Sequence, residues 1–373
     1  MIPYYVLSYQ DKNPAVLICL YKPATIIFMS QDLKNYTSGE LRQVFASLGQ
    51  REYLAEYVFT FIHQKDCGEI AEISPLPLAL RERLTGEGYF ISRLKTLKKL
   101  TDPDGTMKFL FQMEDGQAAE AVRLDDDGRS TLCLSTQVGC RMGCAFCATG
   151  QLTFQRNMTA GEIVDQVYRI EADSGKAQNL VYMGMGEPLD NYDEVMRSLA
   201  ILNHPKGRNF GIRHITISTC GLAEEIERLA DEDLRPRLAI SLHAADPIKR
   251  SQIMKISKAQ PLARVMEAVQ AYQQKTNKRV TFEYCMIRNL NDGRRDMDLL
   301  IELVADCSAN VNLIELNEFE GCLFKASPPS VIRTFAEGLQ KAGIETVIRY
   351  KRGRNIKAAC GQLGAERLEK KKN

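Results

Sequence analysis

Cys140, Cys144 and Cys147, in the run GCRMGCAFCATG, combine residue type and spacing in a way that could do chemistry. With three and two residues between them, their thiolates can gather on one face of a tight loop. A closed zinc site takes four ligands, and so does an ordinary four-iron ferredoxin cluster. Three cysteines holding a four-iron cluster leave one iron open to a further molecule. The competing reading is a zinc site completed by Cys133, giving C-x6-C-x3-C-x2-C. Zinc sites usually draw C-x2-C arms from two separate loops, and this run does not follow that pattern.

A loop of this kind needs rigid elements to hold it. From about residue 130, apolar β-rich runs alternate with helical stretches, with candidate strands at 131–137, 179–183, 214–218, 238–242, 280–287 and 311–316. After the cysteine loop, Thr159 and Glu162 form a capping box, and Ile163, Val167 and Ile170 form a helical stripe. Six β-α repeats with continuous apolar strands imply an α/β fold, a partial (βα)6 barrel buried on both faces. Such barrels carry their chemistry at the C-terminal ends of the strands. The cysteine loop follows the first strand, and Gly186 and Glu187 follow the second. Ser218 closes the third, Ser241, Leu242 and His243 the fourth, and Asn317 the last. Gly184 and Gly186 read as a turn or as a close approach of backbone to ligand. Glu187 is suited to accept hydrogen bonds from an ammonium group. His243 alone would read as a core histidine, and Asn317 as a cap or turn. Together they converge on one rim.

The whole chain fits a cytoplasmic enzyme. Its 373 residues carry Lys+Arg 49 against Asp+Glu 47, net +2, so bulk charge does not announce a nucleic-acid binder. Eleven cysteines read as reduced thiols or ligands, not a disulfide scaffold. Cys19, Cys67, Cys220, Cys285, Cys307 and Cys322 read as small buried or incidental thiols. The longest apolar run, 15–29, is broken by Lys22 and Pro23, short of the roughly 20 residues of a membrane span. Residues 1–30 form an extension without a pattern. Residues 31–104 read as a helical domain, opened by a capping box at Thr37 and Glu40, with Leu41, Val44, Phe45 and Leu48 at helical spacing and Gly49 as a stop. Leu54, Val58 and Ile62 give a second stripe and 76–84 a third. The basic stretch Arg93, Lys95, Lys98, Lys99 ends this domain, either as an RNA-docking platform or as a solvated edge. Residues 105–350 form the barrel core with a leading hairpin, and 351–373 a C-terminal loop and basic tail. From 341 to 373, ten Lys/Arg face three acids, which fits a phosphate-binding patch or a solvated tail.

The cysteine spacing, with Phe146 before the last cysteine, resembles the signature of radical S-adenosylmethionine (SAM) enzymes. Residues 133–167 (CLSTQVGCRMGCAFCATGQLTFQRNMTAGEIVDQV), with VYMGMGEPLDNYDEV, ITISTCG, LAISLHAAD, VNLIELN and the late AACGQL, resemble the RlmN/Cfr family of radical SAM RNA methyltransferases. GEPL with Asn191, and Ala359 before Cys360, lie closer to the RlmN branch. The likeness runs from about residue 30 to Gly364.

The resemblance implies one [4Fe-4S] cluster on Cys140, Cys144 and Cys147. It implies SAM, two per turnover, held by Gly186, Glu187, Ser218, Ser241, Leu242, His243 and Asn317. The implied reaction is methylation of adenine C2 in 23S rRNA and tRNA. That carbon is an electron-poor sp² centre which ordinary methyl transfer cannot reach. In the family, one SAM methylates a cysteine, which matches Cys360, and a second yields a 5′-deoxyadenosyl radical that takes hydrogen from that methyl. The carbon radical adds to the base, a carboxylate matching Glu120 accepts the proton, and a cysteine matching Cys133 resolves the adduct through a transient disulfide with Cys360. A flavodoxin- or ferredoxin-type electron donor and a monomeric, membrane-free enzyme are implied as well. Nucleophilic Cys360 should be accessible and near positive charge, and Arg349, Lys351, Arg352, Arg354 and Lys357 precede it. The glycine-flanked segment 353–364 suits a mobile loop. Thr153, Lys255, Glu318 and Cys322 depart from the family pattern and bear on the RNA target. A paralogue with a single or different RNA target, a radical SAM enzyme acting on a peptide or small molecule, and a non-catalytic metal-stabilised RNA-binding module are the alternatives.

Overall fold

The helices begin where their capping chemistry sits. A computed structural model describes residues 31–126, 128–349, 351–366 and 368; the extension at 1–30, with its apolar run and Cys19, and the tail lysines 370–372 lie outside the described residues. Thr37 Oγ1 accepts from the Glu40 N–H at 3.2 Å and Glu40 Oε2 from the Thr37 N–H at 2.8 Å, which starts helix Ser38–Ser47. Helices Tyr53–His63 and Leu78–Gly86 complete a three-helix module. Leu41, Val44, Phe45, Leu54, Val58, Ile62 and Leu84 are buried in the main core, each contributing about 1.5–3 kcal/mol through apolar burial.

Helix ends at Gly86, short of residue 104. Lys95–Thr101 is instead a strand, β1, paired antiparallel with β2 (Met107–Gln112). β1 is the edge of the sheet, and almost all its side chains are exposed. Lysines blunt such an edge against further pairing and remove the alternation that would have marked the segment as a strand.

The sheet continues through β3 (Ala118–Asp126) and β4 (Arg129–Cys133), and then through β5 (Asn179–Tyr182), β6 (Ile215–Thr219), β7 (Arg237–Ser241), β8 (Val280–Met286), β9 (Ala309–Glu315) and β10 (Glu345–Arg349). From β4 onward every pairing is parallel, and spatial order follows chain order. All six expected strands are present. A seventh, β10, extends the sheet beyond β9 and ends at Arg349. Helices such as Ala160–Ser174 and Leu262–Thr276 pack their apolar stripes onto the sheet, with Ile163, Val167, Ile170, Val265 and Val269 fully buried. No described helix is long and apolar enough to cross a membrane.

Polar contacts join the helical module to the barrel. Lys34 Nζ lies 2.7 Å from Asp165 Oδ1 on the helix that follows the cysteine loop. Asp165 Oδ2 accepts from the Leu94 N–H at 2.7 Å, and Asn35 Oδ1 from the Gly161 N–H at 2.8 Å.

Candidate active site

β4 delivers Cys133 to the rim, and the chain then forms a small ribbon, Gln137–Val138 with Arg156–Asn157, that brackets the cysteine loop. Glycine is obligatory at two points. A Cβ on Gly139, which sits at φ +81°, would lie 2.4 Å from the Thr153 carbonyl oxygen, and one on Gly150 would lie 2.7 Å from that of Cys144. The loop is clamped on both sides. Ala145 N–H donates to Ile253 O at 2.8 Å; Ala148 N–H donates to Gly361 O at 2.7 Å, and Thr149 Oγ1 to Leu363 O at 2.7 Å. The second clamp belongs to the segment that carries Cys360.

Cys140, Cys144, Cys147, Gly186, Glu187, Ser218, Ser241, His243, Asn317 and Cys360 all line one hollow of roughly 990 Å³, open solvent at its mouth included. Glu187 is buried; its Oε2 accepts from the Cys220 N–H at 2.8 Å and its Oε1 from the Leu189 N–H at 3.1 Å. Desolvation raises its carboxyl above the ordinary range, opposed by those N–H groups. Gly186 and Gly184 are required by close packing, since a Cβ on either would lie 2.6 Å from Gln137 Cβ or Leu134 O. Ser218 and Ser241 hydroxyls are 3.3 Å apart. His243 adopts φ +59°, and its Nδ1 accepts from the Cys285 N–H at 3.0 Å, which assigns the ring proton to Nε2. Burial pushes this imidazole down to about 3, so it is neutral. Leu242 does not line the hollow; it is fully buried and works through its backbone, donating to Glu283 O at 3.0 Å and accepting from Arg250 Nε at 3.1 Å.

The three residues expected to act on substrate are distributed around the same end. Among the described cysteines Cys360 alone is exposed, its carbonyl held by Asn317 Nδ2 at 3.1 Å. Cys133 is buried at the tip of β4, and burial, reinforced by Cys360, pushes its thiol up to about 12. Neither is in a disulfide. Glu120, inside β3, turns its carboxylate to the Cys360 segment, accepting from the Gly364 N–H at 3.0 Å, with Lys108 Nζ 3.8 Å away.

The basic run beside Cys360 is not a free phosphate patch. Arg349 pairs with Glu283, Lys351 and Arg354 with Glu315, and Arg352 with Asp126. These partners come from distant strands, so the charge count along the chain could not reveal the neutralisation. Lys255 and Glu318, two of the positions expected to depart from the family pattern, are packed into the fold. Lys255 packs its stem on Gly143; Glu318 pairs with Lys325 at 2.8 Å and accepts from Gln362 Nε2 at 2.8 Å through its carbonyl.

Two positioning residues escaped the sequence reading. Asn291, fully buried, donates to His243 O and Cys285 O at 2.6 Å and accepts from the Ile287 N–H at 2.7 Å. Arg250, also fully buried, donates to Cys220 O at 2.6 Å and to Leu242 O. Neither carries a local sequence signal, because only the assembled rim creates their partners.

The profile of the Radical SAM superfamily matches residues 134–301, and that of the ribosomal RNA large subunit methyltransferase N-terminal domain matches residues 31–89. A protein of Thermotoga neapolitana described as probable dual-specificity RNA methyltransferase RlmN is 43% identical over 339 residues, 90% of this chain and 98% of its own. The dual-specificity RNA methyltransferase RlmN of Syntrophobacter fumaroxidans is 40% identical over 337 residues, 90% and 98%. The chain belongs to the RlmN family. It is a radical SAM RNA methyltransferase. The crystal structure of a radical SAM methyltransferase from Sphaerobacter thermophilus superposes with a TM-score of 0.84 at 37% identity, covering 90% of this chain and 99% of that one.

Membership of the RlmN family implies a [4Fe-4S] cluster and SAM, and the rim residues fit them. Among the described residues no group of three or more His, Cys, Asp or Glu side chains gathers tightly enough to hold a single metal ion. Three thiols facing a shared hollow, each free to meet its own iron, suit a polynuclear cluster. Desolvation and the neighbouring sulfurs raise the Cys144 thiol far above its ordinary range. Bound iron would supply the charge that stabilises the thiolates.

Proposed function

We propose that this chain methylates C2 of adenine in 23S rRNA and tRNA, with Cys360 as methyl carrier and Cys133 as resolving thiol. The carrying observation is one exposed thiol, Cys360, on the same rim as three clustered cysteines, with a second, buried thiol beside it. The names of the relatives, dual-specificity RNA methyltransferases, support the two RNA classes. Cys140, Cys144 and Cys147 would hold a [4Fe-4S] cluster, which would supply the electron for reductive cleavage of SAM, two SAM being used per turnover.

The chain's own residues divide the remaining work. Glu187 would accept from the ligand's ammonium group, with Gly186, Ser218, Ser241, the Leu242 backbone, His243 and Asn317 shaping the rest of its bed. Asn317 also holds the Cys360 carbonyl, which ties the ligand site to the methyl carrier. Glu120 would take the proton from adenine C2, its carboxylate now occupied by the Gly364 N–H and available once that segment shifts. The helical module, 31–89, is the RNA-docking candidate. A flavodoxin- or ferredoxin-type donor and a cytoplasmic monomer complete the reading.

The test is peptide mass spectrometry on the segment bearing Cys360, together with nucleoside analysis of rRNA and tRNA from a complemented knockout. A SAM-dependent methyl on Cys360 and C2-methyladenine in both RNAs are expected. An unmodified Cys360 in protein that still cleaves SAM would sink the methyl-carrier reading.

A further inference from the structure

Among the described residues Arg349 is the only lysine or arginine that lines the hollow, whose other ionisable side chains are the thiols, Tyr182, Glu187, Glu283 and the neutral His243. It ends β10, the strand that the sequence did not reveal. Its Nη1 lies 3.3 and 3.4 Å from the two oxygens of Glu283, which is buried in β8 and held in turn by Asn312 Nδ2 at 2.9 Å. The same Nη1 reaches Met183 Sδ at 3.9 Å, and Met183 lies two residues beyond Val181, the register partner of Cys133, so along the extended chain its side chain falls on the Cys133 face. The guanidinium therefore sits close to the tip of β4, oriented by a buried carboxylate, in the hollow that Cys360 also lines.

Resolution of the adduct needs an anion at the buried thiol. The Cys133 thiolate attacks Cys360 sulfur; an S–S bond forms and the bond from that sulfur to the methylene carbon breaks. Its electron pair goes to the methylene carbon, which takes a proton to become the methyl group, and an external dithiol then reduces the disulfide. Desolvation opposes the thiolate at Cys133, as does Cys360; the groups favouring it are the Met183 N–H and Arg349.

We propose that Arg349, oriented by Glu283, is the positioning residue that stabilises the Cys133 thiolate for attack on Cys360. The proposal rests on the resolving role of Cys133 given above. A fixed cation in a water-poor pocket stabilises an anion more strongly than it would in bulk solvent.

The experiment follows disulfide formation between Cys133 and Cys360 driven by diamide, as a function of pH, in purified wild-type, Arg349→Met, Arg349→Lys and Glu283→Gln proteins. Removing the cation raises the Cys133 thiol, so the alkaline limb in Arg349→Met moves upward. Each unit of that shift lowers the rate at neutral pH about tenfold. Arg349→Lys shifts less, and Glu283→Gln, which keeps the charge but frees it, lies between. In cells, Arg349→Met keeps Cys360 methylated and accumulates covalent protein–RNA adduct, as Cys133→Ala does. A pH profile in Arg349→Met and Arg349→Lys that superposes on wild type overturns the proposal. Absence of adduct in Cys133→Ala itself would instead overturn the resolving role, and the two failures are read from different variants.

Discussion

Lys34 and Asp165, 131 positions apart, form an ion pair at 2.7 Å with both side chains 1% exposed. This contact fixes the helical module to the helix directly behind the cysteine loop. Asp165 also faces Arg169 Nε at 3.4 Å. Asp165→Asn leaves the buried Lys34 without its carboxylate, while Arg169 keeps Asp66, and breaking a buried pair in this way costs about 3–5 kcal/mol. Lys34→Met costs less, since Arg169 and the Leu94 N–H still serve the remaining carboxylate. Urea unfolding of the two variants checks the order; equal costs would show that the charge pairing is not what matters.

Gly150→Ala tests the cysteine loop. Its Cβ would press on the Cys144 backbone at 2.7–2.8 Å, which displaces the Cys144 thiol while leaving the distant core intact. Anaerobically reconstituted Gly150→Ala is expected to hold well under half the wild-type iron, with a melting temperature close to wild type. Full iron loading would refute the packing argument.

Stability should fall in mild acid. His63 is fully enclosed, its Nδ1 3.0 Å from Tyr168 Oη, and burial holds its imidazole well below the ordinary histidine range. The folded state thus binds a proton less readily than the unfolded chain. The stabilisation is complete above the unfolded value near 6.5 and is lost as pH falls below it, by up to about 1.4 kcal/mol per unit for this group. Urea midpoints for wild type and His63→Gln between pH 7 and 5 are the measurement, and the slope should be shallower in the variant.

Asn291→Ala removes the partners of the His243 carbonyl, the Cys285 carbonyl and the Ile287 N–H. Each buried group left unpaired costs about 1–3 kcal/mol. The turn that holds His243 at positive φ loosens with them, so SAM affinity measured by calorimetry on the loaded protein should drop along with stability. An unchanged affinity would separate the Asn291 scaffold from the ligand bed.

Much of the architecture was legible because it is written locally. Thr37 with Glu40 and Thr159 with Glu162 cap their helices within four residues, and the strands that lead to the rim are apolar runs with nothing to obscure them. β1 and β10 were not legible, since edge strands bury only part of their side chains and show no alternation. Of the rim residues named from motifs, Gly186, Glu187, Ser218, Ser241, His243 and Asn317 line one hollow, whereas Leu242 does not. Arg250, Asn291 and the pairing of Arg349 with Glu283 were hidden because tertiary structure alone supplies their partners.

The segment around Cys360 contains Lys351, Arg352, Arg354 and Lys357, a row of trypsin sites in an otherwise accessible loop. Yet Asp104 Oδ2 accepts from the Gly353 N–H and Asp102 Oδ2 from the Asn355 N–H, each at 2.8 Å, while Glu366 reaches Lys108 at 3.2 Å. A backbone tied down this way cannot extend into a protease cleft. Tryptic nicking there will therefore time how often the segment bearing Cys360 lets go.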